Sequence, residues 1–392
     1  MAKKIGVGTV YMPQAAYGNI QRVLNSKRLS YGPFSQRFEA LFSKIHGVQS
    51  SILVNSGTSA LQVALHALKI LYGWQDNDEV LVPALTFVAT VNVVLENRLK
   101  PVFVDVDPDF FDLDPNQIER YLTRKTKAII VAHLFGQSAP MDKIMALAKK
   151  HNLKVIEDSC ETMFAKCHGR MVGSWGDISC FSTYSAHLVT TGVGGLVCTN
   201  NQKIATLCRS LANHGRSPQY LKLEDDDVTG AKLEAVVKNR FQFIYQGYSY
   251  RLSELEPALG LPQLKEYSQI IGPRFKNALY LNEKLAKLST YLQLPQIREQ
   301  ATHDFMVYPL VLKSKKHKLT DLINYLEKNG IETRELLPLL NQPVYASLKI
   351  KIKDYPVAKL IETRGFYIGC HQDLKKSDLD YIVRNFYAYF KV

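Results

Sequence analysis

Short, uninterrupted apolar runs recur along the first half of the chain, without the polar alternation of a half-solvated strand. They are Ser51-Ile-Leu-Val54, Glu79-Val-Leu-Val-Pro83, Pro101-Val-Phe-Val-Asp-Val106, Ala128-Ile-Ile-Val131, Lys154-Val-Ile-Glu-Asp158, Ile178-Ser-Cys-Phe181 and Leu196-Val-Cys198. Helical patterns lie between several of them, one running through Leu65, Leu68 and Leu71 and another from Met141 to His151. Apolar strands interleaved with helices predict an α/β protein whose mostly parallel sheet is covered on both faces.

At 392 residues and 46% hydrophobic, the chain can bury a large core and still supply a second, smaller domain. The spacing predicts a large domain over residues 1–265 and a small C-terminal one over 266–392. A helical stretch from Ser253 to about Leu288 bridges the two. A strand over Phe305–Leu312 and a helix over Thr320–Asn329, closed by Gly330, belong to the second.

The net charge of +13, from 49 basic and 36 acidic residues, is dispersed apart from Lys313–Lys318. With no nucleic-acid module signature, it reads as a surface tolerant of diphosphate substrates rather than a nucleic-acid face. The acidic run Glu224–Asp227 lacks interleaved glycine and reads as a solvated loop, so no metal is expected there. Two lysines near Met1 are not followed by an apolar segment, and no apolar run approaches a membrane span. Six cysteines (160, 167, 180, 198, 208 and 370) lack paired metal spacing and read as reduced thiols, which predicts a cytoplasmic protein.

Candidate chemistry sits where apolar runs end. Ser56-Gly57-Thr58 follows one strand and opens a helix, an arrangement that aims free backbone N–H groups at an anion; taken alone it is an ordinary N-cap. Asp158 ends another strand, where a helix cap is the plainer reading. Phe87 follows Glu79–Pro83 and by itself reads as core. His187 lies in Phe181-Ser182-Thr183-Tyr184-Ser185-Ala186-His187, which runs into the glycine-rich turn Gly192-Val-Gly-Gly195 before the next strand.

Asn55-Ser-Gly-Thr-Ser-Ala-Leu61, Glu157-Asp158, Ala212-Asn-His-Gly-Arg216 and Gly247-Tyr-Ser-Tyr-Arg251 together resemble the sugar-nucleotide aminotransferase family called DegT/DnrJ/EryC1/StrS, across nearly the whole chain. The resemblance implies the fold-type I scaffold of enzymes using pyridoxal 5′-phosphate (PLP), and a homodimer with shared active sites. It implies that Ser56, Gly57 and Thr58 hold the cofactor phosphate, with Ser182 among the cofactor contacts. Phe87 stacks on the ring, and Asp158 keeps the pyridine nitrogen protonated. Ser249 stands where the family has an asparagine that reaches the neighbour's phosphate.

His187 occupies the place of the family's PLP-linking lysine, and no lysine lies between Met171 and Asn200. Imidazole cannot tether the cofactor stably but can move a proton near neutrality. Ala186-His187 resembles the branch that dehydrates sugars at C3, and Glu161 matches that branch's acidic residue where the aminotransferases carry glutamine. Cys160 matches the first ligand of an iron–sulfur-dependent kind within the branch. With no cysteine from Leu211 to Val228, the four thiolates of a cluster are not supplied. The resemblance is then to the cluster-free kind, similar to GDP-4-keto-6-deoxymannose 3-dehydratase. That kind takes its amino group from L-glutamate, works through pyridoxamine 5′-phosphate (PMP), and converts a nucleotide-linked 4-keto-6-deoxyhexose to a 4-keto-3,6-dideoxyhexose. Two rivals predict different outcomes: a 4-aminotransferase yields a stable amino sugar, and a non-catalytic homologue that binds PLP or sugar nucleotide yields no product. Leu188, Val193 and Ser249 depart from the branch pattern, and the motifs do not encode the nucleotide.

Overall fold

Residues 79–83, 126–132 and 154–158 form three adjacent strands whose side chains separate by parity, as a period of two requires. Val80, Val82, Ala128, Ile130 and Ile156 pack on one side against Ala60, Leu61, Ala64, Leu65 and Leu68. Leu81, Ile129, Val131 and Val155 pack on the other against Met141, Ile144 and Ala148. Runs that are apolar at every position are therefore buried on both faces, each such side chain contributing about 1.5–3 kcal/mol.

The computed structural model describes residues 4–219, 221 and 228–392. The first three residues and the acidic run Glu224–Asp227 lie outside the described residues. The large sheet contains β1 (Ser50–Val54), β2 (Glu79–Pro83), β3 (Lys100–Val104), β4 (Thr126–Ala132) and β5 (Lys154–Asp158). After a short separate hairpin, β6 (Lys166–Cys167) and β7 (Arg170–Met171), it is completed by β8 (Ile178–Ser182) and β9 (Gly195–Thr199). The order is β1-β9-β8-β5-β4-β2-β3. Strands β8, β5, β4, β2 and β3 run parallel, while β9 is antiparallel to both its neighbours. Its reversal follows from the connection: the residues between β8 and β9 include no helix, too little for the crossover a parallel pair needs.

Helices α1 (Gln14–Ser26), α2 (Pro33–His46), α3 (Gly57–Tyr72) and α4 (Val88–Glu96) precede or interrupt the first strands. Proline at N1 opens α2 and Gly47, at φ 66°, closes it. The stretch expected as one helix from Ser253 to Leu288 is two, Leu255–Lys265 and Ser268–Leu285. The break falls where the ring of Tyr267 stacks on Phe164 at 4.3 Å, a tertiary contact that overrides local helical preference.

A four-stranded antiparallel sheet, β10 (Leu292–Gln293), β11 (Tyr308–Leu312), β12 (Thr333–Glu335) and β13 (Gly365–Ile368), has the order β10-β11-β13-β12. The strand expected from Phe305 begins at Tyr308, because Phe305 sits at φ 46° in the left-handed region. Helices Ser268–Leu285, Leu319–Lys328 and Lys376–Phe390 contribute Leu281, Leu322, Leu326, Ile382 and Phe386 to this sheet's core. Ile5 packs in the same core, whereas Leu336, Leu339, Tyr345 and Ile361 join the core of the large sheet. Among the described residues no helix is long and apolar enough to cross a membrane.

Candidate active site

The ends of β1, β2, β4, β5 and β8 open into a cavity of about 400 Å³, lined also by Met306, Val307, Leu337 and Tyr367. Loops at the carboxyl ends of parallel strands are where α/β sheets gather ligand-binding groups. Ser56, Gly57, Thr58, Phe87, Asp158, Glu161, Ser182 and His187 all line it. Among the described residues, no lysine does.

Ser56 is the N-cap of α3, its hydroxyl accepting the N–H of Ser59 at 3.0 Å. Gly57 and Thr58 are the next two residues, whose backbone N–H groups a helix leaves without internal acceptors. A Cβ on Gly57 would lie 2.7 Å from Cys160 Sγ and 2.8 Å from Ser182 Cβ. One on Gly195 would lie 2.4 Å from the carbonyl oxygen of Ser56. Only glycine lets the two turns approach this closely, and the result is a backbone cup at the positive end of a 16-residue helix.

Asp158 ends β5 and is held by its surroundings. Thr90 Oγ1 donates to Oδ2 at 2.8 Å, and the backbone N–H of Cys160 donates to Oδ1 at 3.3 Å. Thr86 and Thr90 hydroxyls lie 2.9 Å apart; since Thr90 gives its proton to Asp158, Thr86 must donate to Thr90. The adjacent Glu157 is fully buried and accepts from Gly173, Trp175 and Gly176 N–H, each at 2.7 Å, and from His133 Nε2 at 3.0 Å. Ala139 N–H donates to His133 Nδ1, so the His133 proton resides on Nε2.

Phe87 is 57% exposed and Tyr184 53% exposed, large ring surfaces left open within the cavity wall. Tyr184 meets the His187 ring edge-on at 5.8 Å. His187 Nδ1 is buried with no hydrogen-bond partner among the described residues. Burial pulls the imidazole down to about 4, with the Ser182 backbone acting in the opposite direction. Burial pushes the Glu161 carboxyl up to about 7; the Phe135 N–H, donating at 3.2 Å, opposes that and the Asp158 charge adds to it. In this state, at neutral pH, His187 is a base without its proton and Glu161 is poised between its two forms. Burial also holds the Cys160 and Cys180 thiols well above their ordinary value, so they remain protonated.

A backbone cup for an anion, a fixed carboxylate, an open aromatic face and an orphaned imidazole nitrogen suit a flat, phosphorylated, nitrogen-containing ring. Ser249 is not brought to this cavity. It is exposed, bridges to Asn213, and accepts from Arg251 Nη2 at 3.2 Å. Sequence reasoning left out Thr86, Thr90, Tyr184, Leu337 and Tyr367. The signal for Thr86 and Thr90 was their spacing of four about Phe87 at a helix start. Tyr367 comes from β13 and Leu337 from just after β12, and nothing local announces them.

The family model of the DegT/DnrJ/EryC1/StrS aminotransferase family matches residues 12–387. GDP-perosamine synthase of Caulobacter vibrioides is 33% identical over 356 residues, covering 90% of this chain and 89% of that protein. GDP-4-keto-6-deoxy-D-mannose 3-dehydratase of Escherichia coli O55:H7 is 28% identical over 378 residues, covering 93% and 95%. A solved structure of a mutant GDP-4-keto-6-deoxymannose-3-dehydratase with bound GDP-perosamine superposes with a TM-score of 0.86 at 25% identity, covering 97% of this chain and 100% of that one. The chain belongs to the DegT/DnrJ/EryC1/StrS aminotransferase family, sugar-nucleotide enzymes that use pyridoxal phosphate on the fold-type I scaffold.

Proposed function

We propose that this protein removes the C3 hydroxyl of a nucleotide-linked 4-keto-6-deoxyhexose, yielding a 4-keto-3,6-dideoxyhexose with L-glutamate as amino donor. The observation that carries the reading is His187, its Nδ1 unpartnered, in a cavity that no lysine of the described residues lines. When bound, the cofactor supplies an electron sink next to the sugar carbonyl. Glu161, a carboxyl that burial pushes up to about 7, supports the same branch.

The chain's own groups divide the work. The Gly57 and Thr58 N–H groups and Ser56 hold a phosphate at the start of α3. Asp158, pinned by Thr90, would supply the carboxylate that keeps a bound ring's nitrogen protonated, and Phe87 would offer that ring a stacking face. His187, neutral when it begins, takes a proton and returns one to the departing hydroxyl as general acid. Glu161, whose carboxyl burial pushes up, lies in the same cavity wall. The balance closes without a reductase: glutamate is oxidised to 2-oxoglutarate, the sugar loses one oxygen, and the nitrogen leaves as ammonia. The reading also makes the protein a homodimer in which Ser249 faces the neighbour's cofactor, supported by its exposure outside its own cavity. It assigns the protein to the cytoplasm, supported by six cysteines that are all free thiols.

Mass spectrometry of products from protein, PLP, glutamate and a panel of nucleotide-linked 4-keto-6-deoxyhexoses tests this. Loss of one oxygen with ammonia release is the expected result, and the substrate that turns over names the nucleotide. A stable 4-amino sugar, the product type that the relationship to a perosamine synthase suggests, overturns the dehydratase reading. Absence of turnover with PLP bound favours a binding protein.

A further inference from the structure

The first described residues belong to the small domain rather than to the sheet that follows them. Ile5 forms an isolated parallel bridge with Ile331, just before β12, donating its N–H to Gly330 at 2.7 Å and accepting from Glu332 at 2.9 Å. Val7 N–H then donates to the Glu332 carboxylate at 3.0 Å, and the Thr9 hydroxyl donates to Asp373 at 2.7 Å. Gly369 leaves room for this strap, since a Cβ there would lie 2.2 Å from the Gly6 carbonyl oxygen. Past the clasp, Val7 lines the catalytic cavity. A Cβ on Gly8 would lie 3.8 Å from the carbonyl oxygen of Ala186, the residue before His187. Tyr184, Ser185 and Ala186 are exposed with the strap in place. The second oxygen of Glu332 is paired with Arg334, whose partner across β13 is Tyr367, another cavity residue.

We propose that Glu332 is a positioning residue: by clasping Val7 it holds the N-terminal strap against the turn that presents His187. The proposal rests on His187 carrying the proton transfer of the reading above. Glu332 touches no reacting atom. It fixes the strap beside the turn that carries His187, and a displacement of about 1 Å in a group that positions reacting atoms costs about 100-fold in rate.

The test compares Glu332→Ala with Glu332→Gln in the full-length protein with cofactor. The glutamine keeps an acceptor for Val7 N–H while losing the charge facing Arg334. For Glu332→Ala, kcat is expected to fall about 10- to 100-fold with KM for the sugar nucleotide unchanged within about threefold. Hydrogen–deuterium exchange is expected to rise in peptides covering both Val7 and Ala186–His187. Glu332→Gln restores both. Equal losses in the two variants overturn the clasp in favour of the ion pair. Unchanged exchange at Ala186–His187 in Glu332→Ala overturns the coupling to the turn. Exchange is measured without substrate, and kcat is taken on whichever product the protein makes. A transaminase result would therefore sink the dehydratase reading while leaving this proposal standing or falling on its own data.

Discussion

Replacing Glu161 by glutamine removes an ionisable group from the cavity wall while keeping its shape and its acceptor for Phe135 N–H. The wild-type carboxyl has moved from its ordinary 4.5 to about 7, chiefly through burial. A carboxyl raised on folding contributes stability that is fully present below its unfolded pKa and is lost as pH rises through the folded value. At about 1.4 kcal/mol per pKa unit the whole shift corresponds to about 3.5 kcal/mol, of which roughly 2.5 falls between about pH 5 and about pH 8. Glu161→Gln therefore gains stability over wild type across that window and levels off above it. Urea unfolding of the two cofactor-free proteins at matched concentration, repeated across the window, reads the difference from midpoint and slope. A difference that stays flat with pH, or one that favours wild type at the alkaline end, would refute the claim that the wall desolvates this carboxyl. It would also remove Glu161 from the proton chemistry.

Two further substitutions probe the cup and the missing tether. His187→Lys places an amine where the imidazole now lies; borohydride treatment with PLP is expected to leave a cofactor-sized mass adduct on the variant and none on wild type, and an unmodified variant counts against the assigned orientation of the turn. Gly57→Ala drives a methyl to 2.7 Å from Cys160 Sγ, overpacking that costs about 1–3 kcal/mol. PLP titration should show at least about tenfold weaker binding, from about 1.4 kcal/mol or more lost at the cup, and an unchanged affinity removes the cup from cofactor binding.

The strands were legible because both their faces are buried, leaving nothing but apolar residues to read. Their neighbours were less so. The reversal of β9 was written only in the lack of a helix between Ser182 and Gly195, and the break at Tyr267 only in a ring stacked on Phe164. In the site, residues at strand ends could be found because chain direction alone puts them on one rim. Ser249 could be named but belongs elsewhere on this chain's surface, since its segment pairs with Asn213. Tyr367 and Leu337 depend on how the second sheet docks, and no local pattern encodes docking. Nor could the Val7–Glu332 hydrogen bond be read, since 325 residues separate its partners.

Strand β1 has one neighbour in its sheet, β9, with Ser50 paired to Thr199 and Val54 to Gly195. During synthesis, the segment that carries Ser56-Gly57-Thr58 leaves the ribosome early and waits for its partner strand, a long-range closure of the kind that slows folding. The backbone cup needs Gly195 against Ser56, so it cannot exist on a nascent chain shorter than about half the protein. Ile5 waits longer still, for Ile331. Closure of the cup is thus a late event in the life of this polypeptide, and a chain arrested midway through translation carries Ser56-Gly57-Thr58 without the turn that packs against it.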